Sequence, residues 1–449
     1  MKVRLLFQLI LCMLTATARA QSTLDAYVQQ ALRDNLVLKQ RTVSLEQSML
    51  ALKEARALYL PTTSLEGQHI LSQGGRRINL PIGDLLNPVY ATLNQLTSSN
   101  RFPAISNVAE QLNPNNFYDL RIKTVMPILN QDLRYNKAVK AQQVILKQQE
   151  ADLYARELVR EVKVSYYNIL MARKAIEIYT SALAVVKENL RVNRSLLANG
   201  KSLPAWVSRA EAEVFQVESE LTSAKEQVSR AEAWFNALLN RELNTPVEAS
   251  DIPLENLIPA SEQQNASKRE ELAQLNTLRS IQSETLKFNK SFQRPKLNAF
   301  LDLAAQDFNF RVRDQSFFYL GGLQFSVPIY AGNRNRLKIQ QTQLDLKQTE
   351  LTIQDSKNKL EVAVLQTRIQ TKTSYERYLS ALKQEEAARQ YFKLIDRGYR
   401  EGVNSLIEWL DARNQQTQSA LRKELDFFTH LQSLADLERQ TAAFPLPKQ

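Results

Sequence analysis

The sequence predicts a mainly α-helical fold with a small β part, two tandem repeats that each join a β-strand pair to a long coiled-coil hairpin. Three observations predict it. Residues 131–199 and 333–397 contain neither Pro nor Gly, so each can run as one helix, near ~100 Å for the first at 1.5 Å per residue. Four short segments beside Pro or Gly alternate apolar and polar residues, the period of a strand. The two halves also match at an offset of 201 to 202: Pro127 and Pro328 stand 201 apart, and Gly200 and Gly402 stand 202 apart, as do Ala210 and Ala412.

The N-terminus sets the compartment. Lys2 and Arg4 precede an apolar run from Leu5 to Leu14, and Ala18-Arg19-Ala20 follows as a small-residue cleavage site, the pattern of a secretory signal. Its apolar core is roughly a dozen residues, short of the ~20 that span a bilayer as a helix. The mature chain is expected to start at Gln21. Cys12, the single cysteine, lies inside this signal after Leu11. That context gives no lipid-attachment motif, and the mature protein has neither a disulfide nor a thiolate site. The formal charge of +11 becomes +8 once Lys2, Arg4 and Arg19 leave. Such a balance often marks nucleic-acid binding, but export excludes nucleic acid as a partner. The charge is spread over both repeats as solvated helix surface.

No apolar segment of about 20 residues follows the signal, which excludes a membrane helix and leaves a β-barrel open. In the second strand Tyr118, Leu120 and Ile122 alternate with Asp119, Arg121 and Lys123 before Met126-Pro127. The fourth repeats this with Tyr319, Leu323, Phe325 and Val327 against Gln324 and Ser326, ending at Pro328. The third carries Leu297, Ala299, Leu301 and Leu303, and the first, near Thr62 to Leu71, alternates poorly. A soluble half-buried sheet shows the same alternation, but each strand pair here leads into helices far too long to cover a small sheet. Strands of about ten residues, apolar outside and polar inside, suit a water-filled membrane barrel.

In the first long stretch Ala155, Val162, Ile169, Ile176, Leu183, Leu190 and Leu197 recur every seventh residue, a coiled-coil seam. After the break at Asn199-Gly200, Val207, Val214, Leu221, Val228 and Phe235 form one such series, with Ala210, Val217, Ala224, Ala231 and Leu238 beside it. The two stretches are antiparallel partners. The second hairpin has less regular heptads, with Gln and Thr at seam positions. The expected division is a signal peptide (1–20), a first repeat (21–243), a linker (244–265), a second repeat (266–441) and a C-terminal tail (442–449). The first repeat has strands near 62–71 and 117–128, an outer loop near 74–116 and a tip near 199–205; the second has strands near 296–304 and 317–328 and a tip near 398–405.

Several runs of residues resemble the TolC-type family of outer-membrane efflux proteins. They are Val327-Pro328-Ile329-Tyr330-Ala331-Gly332, its duplicate Met126-Pro127-Ile128-Leu129, Tyr166-Tyr167-Asn168-Ile169-Leu170, and the tips Asn199-Gly200 to Ala210 and Gly398-Tyr399-Arg400-Glu401-Gly402 to Leu410-Asp411-Ala412. The resemblance implies a homotrimer whose pooled strands form one twelve-stranded transmembrane barrel and whose hairpins form a periplasmic α-helical barrel. It implies a periplasmic adaptor and an inner-membrane pump, usually of the resistance-nodulation-division type, as partners beside outer-membrane lipid. It places a periplasmic aperture at Tyr399, Glu408 and Asp411, adaptor contacts at Gly200, Leu203, Gly402 and Val403, and strand-to-helix turns at Pro127, Pro328 and Gly332. Asn404 stands where the family has a basic residue, and Trp206 where it has an acid.

Catalysis finds no support in the sequence. His69 and His430 are the only histidines, which leaves no metal cluster and no activated nucleophile, and no cofactor is expected. Asn199-Gly200-Lys201-Ser202 lacks the earlier Gly and the preceding strand of a phosphate loop. The expected function is a passive duct for small molecules such as drugs. Protein secretion, metal-cation efflux and, in a different class, an exported structural coiled coil remain as alternatives.

Overall fold

The structure, a computed structural model, describes residues 23–248 and 268–446. The expected signal, residues 249–265 of the expected linker and residues 447–449 of the expected tail lie outside the described residues. Helices α1 (Thr23–Asp34) and α2 (Leu36–Ala57) precede β1 (Thr62–Ile70), β2 (Arg77–Leu80), α3 (Ile82–Leu96), β3 (Val108–Gln111) and β4 (Phe117–Leu129). Helices α4 (Gln131–Ala198) and α5 (Pro204–Leu238) form the first hairpin. The second half follows with α6 (Glu270–Lys290), β5 (Lys296–Phe308), β6 (Phe317–Ser326), α7 (Arg334–Arg400) and α8 (Leu406–Thr441). The chain divides into two compact units: Leu50–Lys140 with Ser283–Gln343, which holds the sheet, and Met1–Met49 with Ala141–Gln282 and Leu344–Gln449, whose described residues are mainly helical.

In the sheet unit four antiparallel strands run in the order β1-β4-β5-β6, so β4 and β5 pair across the two repeats while β1 and β6 are edges. Leu65, Ile122, Leu303 and Tyr319 lie in register as one row across the sheet. Rows of the opposite face bring together Ser64, Lys123 and Asp302, and Glu66 with Arg121. Burial is inverted: Leu65 is 70% and Tyr319 78% exposed, whereas Asp119 and Asp302 are 4% and 5% exposed. On the polar face Arg121 pairs with Asp119 and lies 3.8 Å from Asp302, and Lys123 lies 3.9 Å from Glu66. A soluble sheet buries its apolar face; an open apolar face opposite a paired ionic one is the wall of a membrane barrel.

Two boundaries differ from expectation. Strand β4 continues to Leu129, with a bulge between Pro127 and Leu129, so Pro127 lies within the strand rather than closing it. Proline has no amide hydrogen and is tolerated where the ladder is interrupted. Strand β6 ends at Ser326, two residues before Pro328 and short of the expected 328, and Gly332 and Asn333 then take the left-handed region, each at φ +59°, before α7 begins.

Residues 74–116, expected as a loop, contain β2, α3 and β3. The Asn87 side chain donates to Ile105 O (2.9 Å) and accepts from Ile105 N (2.7 Å). Asn94, on the same face of α3, does likewise with Phe102 O (2.8 Å) and N (3.1 Å). The two amides satisfy the backbone of an extended strap laid along the helix.

In the helical unit Ala182 and Val186 of α4 pack with Val214 and Val217 of α5. Leu158, Val162, Tyr166 and Ile169 pack with Phe235, Leu238 and, from the first two helices, Tyr27, Val28 and Leu38. Ala155, Val162 and Ile169 of the expected seam are buried, but from Ile176 onward its members are half-buried and the buried positions become Ala182, Val186, Asn189 and Asn193. A helix of 3.6 residues per turn drifts in this way against a seven-residue repeat. In the second hairpin polar groups enter the seam beside buried Val364, Ala381 and Ala388: buried Thr371 of α7 donates to Ser433 O of α8 (3.2 Å), and farther along α7 buried Thr349 donates to Gln282 Oε1 of α6 (2.7 Å). The leucines of α7 that recur in steps of seven, Leu337, Leu344, Leu351 and Leu365, are instead more than half exposed.

Candidate functional site

Both hairpin tips close with the same pair of backbone hydrogen bonds. In the first, Lys201 N donates to Leu196 O (2.8 Å) and Gly200 N to Leu197 O (2.9 Å); in the second, Val403 N donates to Gly398 O (2.8 Å) and Gly402 N to Tyr399 O (3.1 Å). These are Schellman closures, and each position recurs 202 residues later. Gly200 (φ +69°) and Gly402 (φ +80°) supply the left-handed residue, a conformation that costs other residues about 1–2 kcal/mol. Leu203 and Val403, beside these glycines, are exposed.

The helices leaving the tips start from Leu203 and Ser405, again 202 apart, with different chemistry. Leu203 makes no side-chain cap, and Pro204 opens the helix. Ser405 forms a capping box: its Oγ accepts from Glu408 N (3.2 Å), while Glu408 Oε2 accepts from Ser405 N (2.6 Å) and Oγ (3.0 Å). The Ser405 backbone bond, then its hydroxyl and Asn404, hold the Glu408 carboxyl below its ordinary range. Asn404 also explains Gly398, where a Cβ would collide with the Asn404 side-chain oxygen.

Of the three expected aperture residues, Tyr399 is half-buried and its hydroxyl faces the Asn193 amide, 3.1 Å from Nδ2 and 3.3 Å from Oδ1. Glu408 and Asp411 are exposed and lie three residues apart on α8. Among the described residues neither acid bonds Tyr399. Its ring lies 5.9 Å from that of Trp409.

Four residues missed in the sequence complete the tip. The Trp409 indole N–H donates to Asp396 Oδ1 (2.8 Å), and Trp409 packs with Leu406, Leu410, Phe392 and Trp206. Glu213 and Arg413 form an ion pair in which both side chains are buried. Burial pulls the Arg413 guanidinium below its ordinary range, and Glu213 acts in the opposite direction. Part of the signal for this pair was present: Arg413 follows Leu406 and Leu410 at seam spacing, a charge where a seam requires an apolar residue, whereas Glu213 flanks the seam residue Val214, where charges are ordinary. These contacts join helices of the first repeat to helices of the second at the tips. No group of three or more His, Cys, Asp or Glu able to hold a metal occurs among the described residues.

Solved structures of similar fold include the CmeC outer membrane channel of Campylobacter jejuni, with a TM-score of 0.76 and 14% identity over 94% of this chain and 85% of that one. The outer membrane protein VceC of Vibrio cholerae gives 0.72 and 12%, over 93% and 95%. The open state of the MtrE outer membrane channel of Neisseria gonorrhoeae gives 0.71 and 14%, over 93% and 88%. At these identities the likeness is one of fold. No curated protein matches the sequence. The family model of the outer membrane efflux protein matches twice, over residues 95–241 and 263–439. One match falls on each repeat and together they span most of the sequence, so this chain belongs to the outer membrane efflux protein family.

Proposed function

We propose that the chain is one subunit of a homotrimeric, passive duct that carries small molecules, such as drugs and other toxic compounds, outward across the outer membrane. The sheet carries this reading. It has four strands, an exposed apolar face and two open edges, β1 and β6. About eight strands is the minimum for a membrane barrel, and an open edge in lipid leaves backbone amides unsatisfied. Three copies pooling their strands remove every edge. The exposed leucines of α7 offer a coiled-coil face for the neighbouring copies.

The tips are where we place control and docking. Tyr399 ties the second repeat to Asn193, and three copies of Glu408 and Asp411 around the axis form an acidic ring that favours cations. A periplasmic adaptor docks on Gly200, Leu203, Gly402 and Val403, and an inner-membrane pump of the resistance-nodulation-division type supplies the energy. The test is accumulation of fluorescent efflux dyes in cells of the source bacterium. Deleting the gene is expected to raise dye accumulation, and restoring it to lower accumulation again. Unchanged accumulation across a broad panel of dyes and drugs would remove this reading.

A further inference from the structure

The end of the sheet where Lys296 pairs with Ser326 borders a cavity of about 370 Å³ lined by Asp132, Phe288, Phe292, Lys296, Arg334 and Lys338, among others. Three cations face one carboxylate. Lys296 pairs with Asp132, and among the described residues Arg334 and Lys338 have no ion-pair partner. Both are exposed, and they stand one turn apart on the same face of α7. That placement runs against the helix dipole. The first turn of α7 contains no acid, although the positive end of a helix favours acids and disfavours cations. A negative ligand in the cavity would offset both the dipole and the mutual repulsion of the cations.

The surroundings select the kind of anion. Ile329 and Tyr330, in the turn between β6 and α7, are 82% and 77% exposed, and this turn follows directly on the strands whose apolar face is open. An exposed tyrosine and isoleucine at the end of a membrane strand belong to the headgroup boundary. The cavity also carries the rings of Phe288 and Phe292. A phosphate with hydrocarbon attached fits such a mixed site better than a free phosphate does.

We infer that this cavity binds the phosphate of an anionic phospholipid of the periplasmic leaflet, with Arg334, Lys338 and Lys296 as the charged contacts. The inference rests on the outer-membrane placement of the chain. The probe is phosphatidylglycerol added to the detergent-solubilised full-length assembly, with phosphatidylethanolamine and inorganic phosphate as the other arms, read by native mass spectrometry. The wild type is expected to retain phosphatidylglycerol over phosphatidylethanolamine and to keep it in the presence of inorganic phosphate. R334Q/K338Q is expected to lower its retention roughly tenfold or more, while R397Q, at an exposed arginine of the tip, leaves retention unchanged.

Equal retention of the two lipids, full retention by R334Q/K338Q, or displacement by an equimolar amount of inorganic phosphate would overturn the inference. Should the double variant fail to assemble, the wild-type lipid comparison and the single variant R334Q decide the matter. A channel that conducts yet shows no lipid preference removes this inference alone and leaves the duct standing.

Discussion

The Tyr399 hydroxyl lies 3.1 Å from the amide nitrogen of Asn193, so the last turn of α7 is fastened to a helix of the other repeat just before the tip. Asn193 is almost fully buried and also bonds Asn189 O (2.9 Å), which fixes its amide to receive the phenol. A single neutral hydrogen bond contributes about 1 kcal/mol, roughly a fivefold change in an equilibrium. Y399F is therefore expected to raise the open probability of single channels in a planar bilayer several-fold while the ring still packs on Trp409. Unchanged gating in Y399F would show that the tie does not hold the tip.

The buried pair Glu213–Arg413 makes a second contact between the repeats at the tip. Removing one partner of such a pair leaves a lone buried charge and costs about 3–5 kcal/mol. R413M is expected to lower the denaturant midpoint strongly, and E213L/R413M to recover most of the loss. A double variant no better than R413M would mean that the pair does not act as a unit.

Acid sensitivity follows from Glu271. Burial alone raises this carboxyl, but hydrogen bonds from Arg269 and from Arg439 (2.9 Å) outweigh burial and pull it down to about 2, against an ordinary 4.5. A folded value below the unfolded one contributes stability that is present above pH 4.5 and lost as pH falls toward 2. Urea unfolding of the wild type should weaken across that window. E271Q is expected to be less stable at neutral pH and to show a shallower decline there; an identical pH profile would contradict the assignment.

Leu120 and Leu323 lie on the open apolar face of the sheet, 49% and 65% exposed. A Lys facing lipid costs about 2–4 kcal/mol near the bilayer midplane. L120K/L323K is expected to deplete the chain from the outer-membrane fraction. Normal localisation of that variant would favour an exported coiled coil over a barrel.

Much of this was legible because the controlling signals are local. Breaker-free runs mark the long helices, and period-two alternation marks the strands. The repeated offset marks the duplication down to the four residues of each Schellman closure. The remainder depends on contacts between distant residues. Helix α3 is braced by Asn87 and Asn94 gripping Ile105 and Phe102, which no periodicity announces. The seam slips from Leu183 and Leu190 to Ala182 and Asn189 because a straight helix does not keep a heptad. Glu408 reads as an aperture acid, and its geometry within one chain is that of a helix cap.

The most direct measurement of the central claim is the mass and conductance of the purified full-length protein. Detergent-solubilised material is expected to behave as a trimer and, added to a planar bilayer, to produce stepwise ion currents. A water-soluble monomer that leaves the bilayer silent would contradict the membrane barrel and the duct with it.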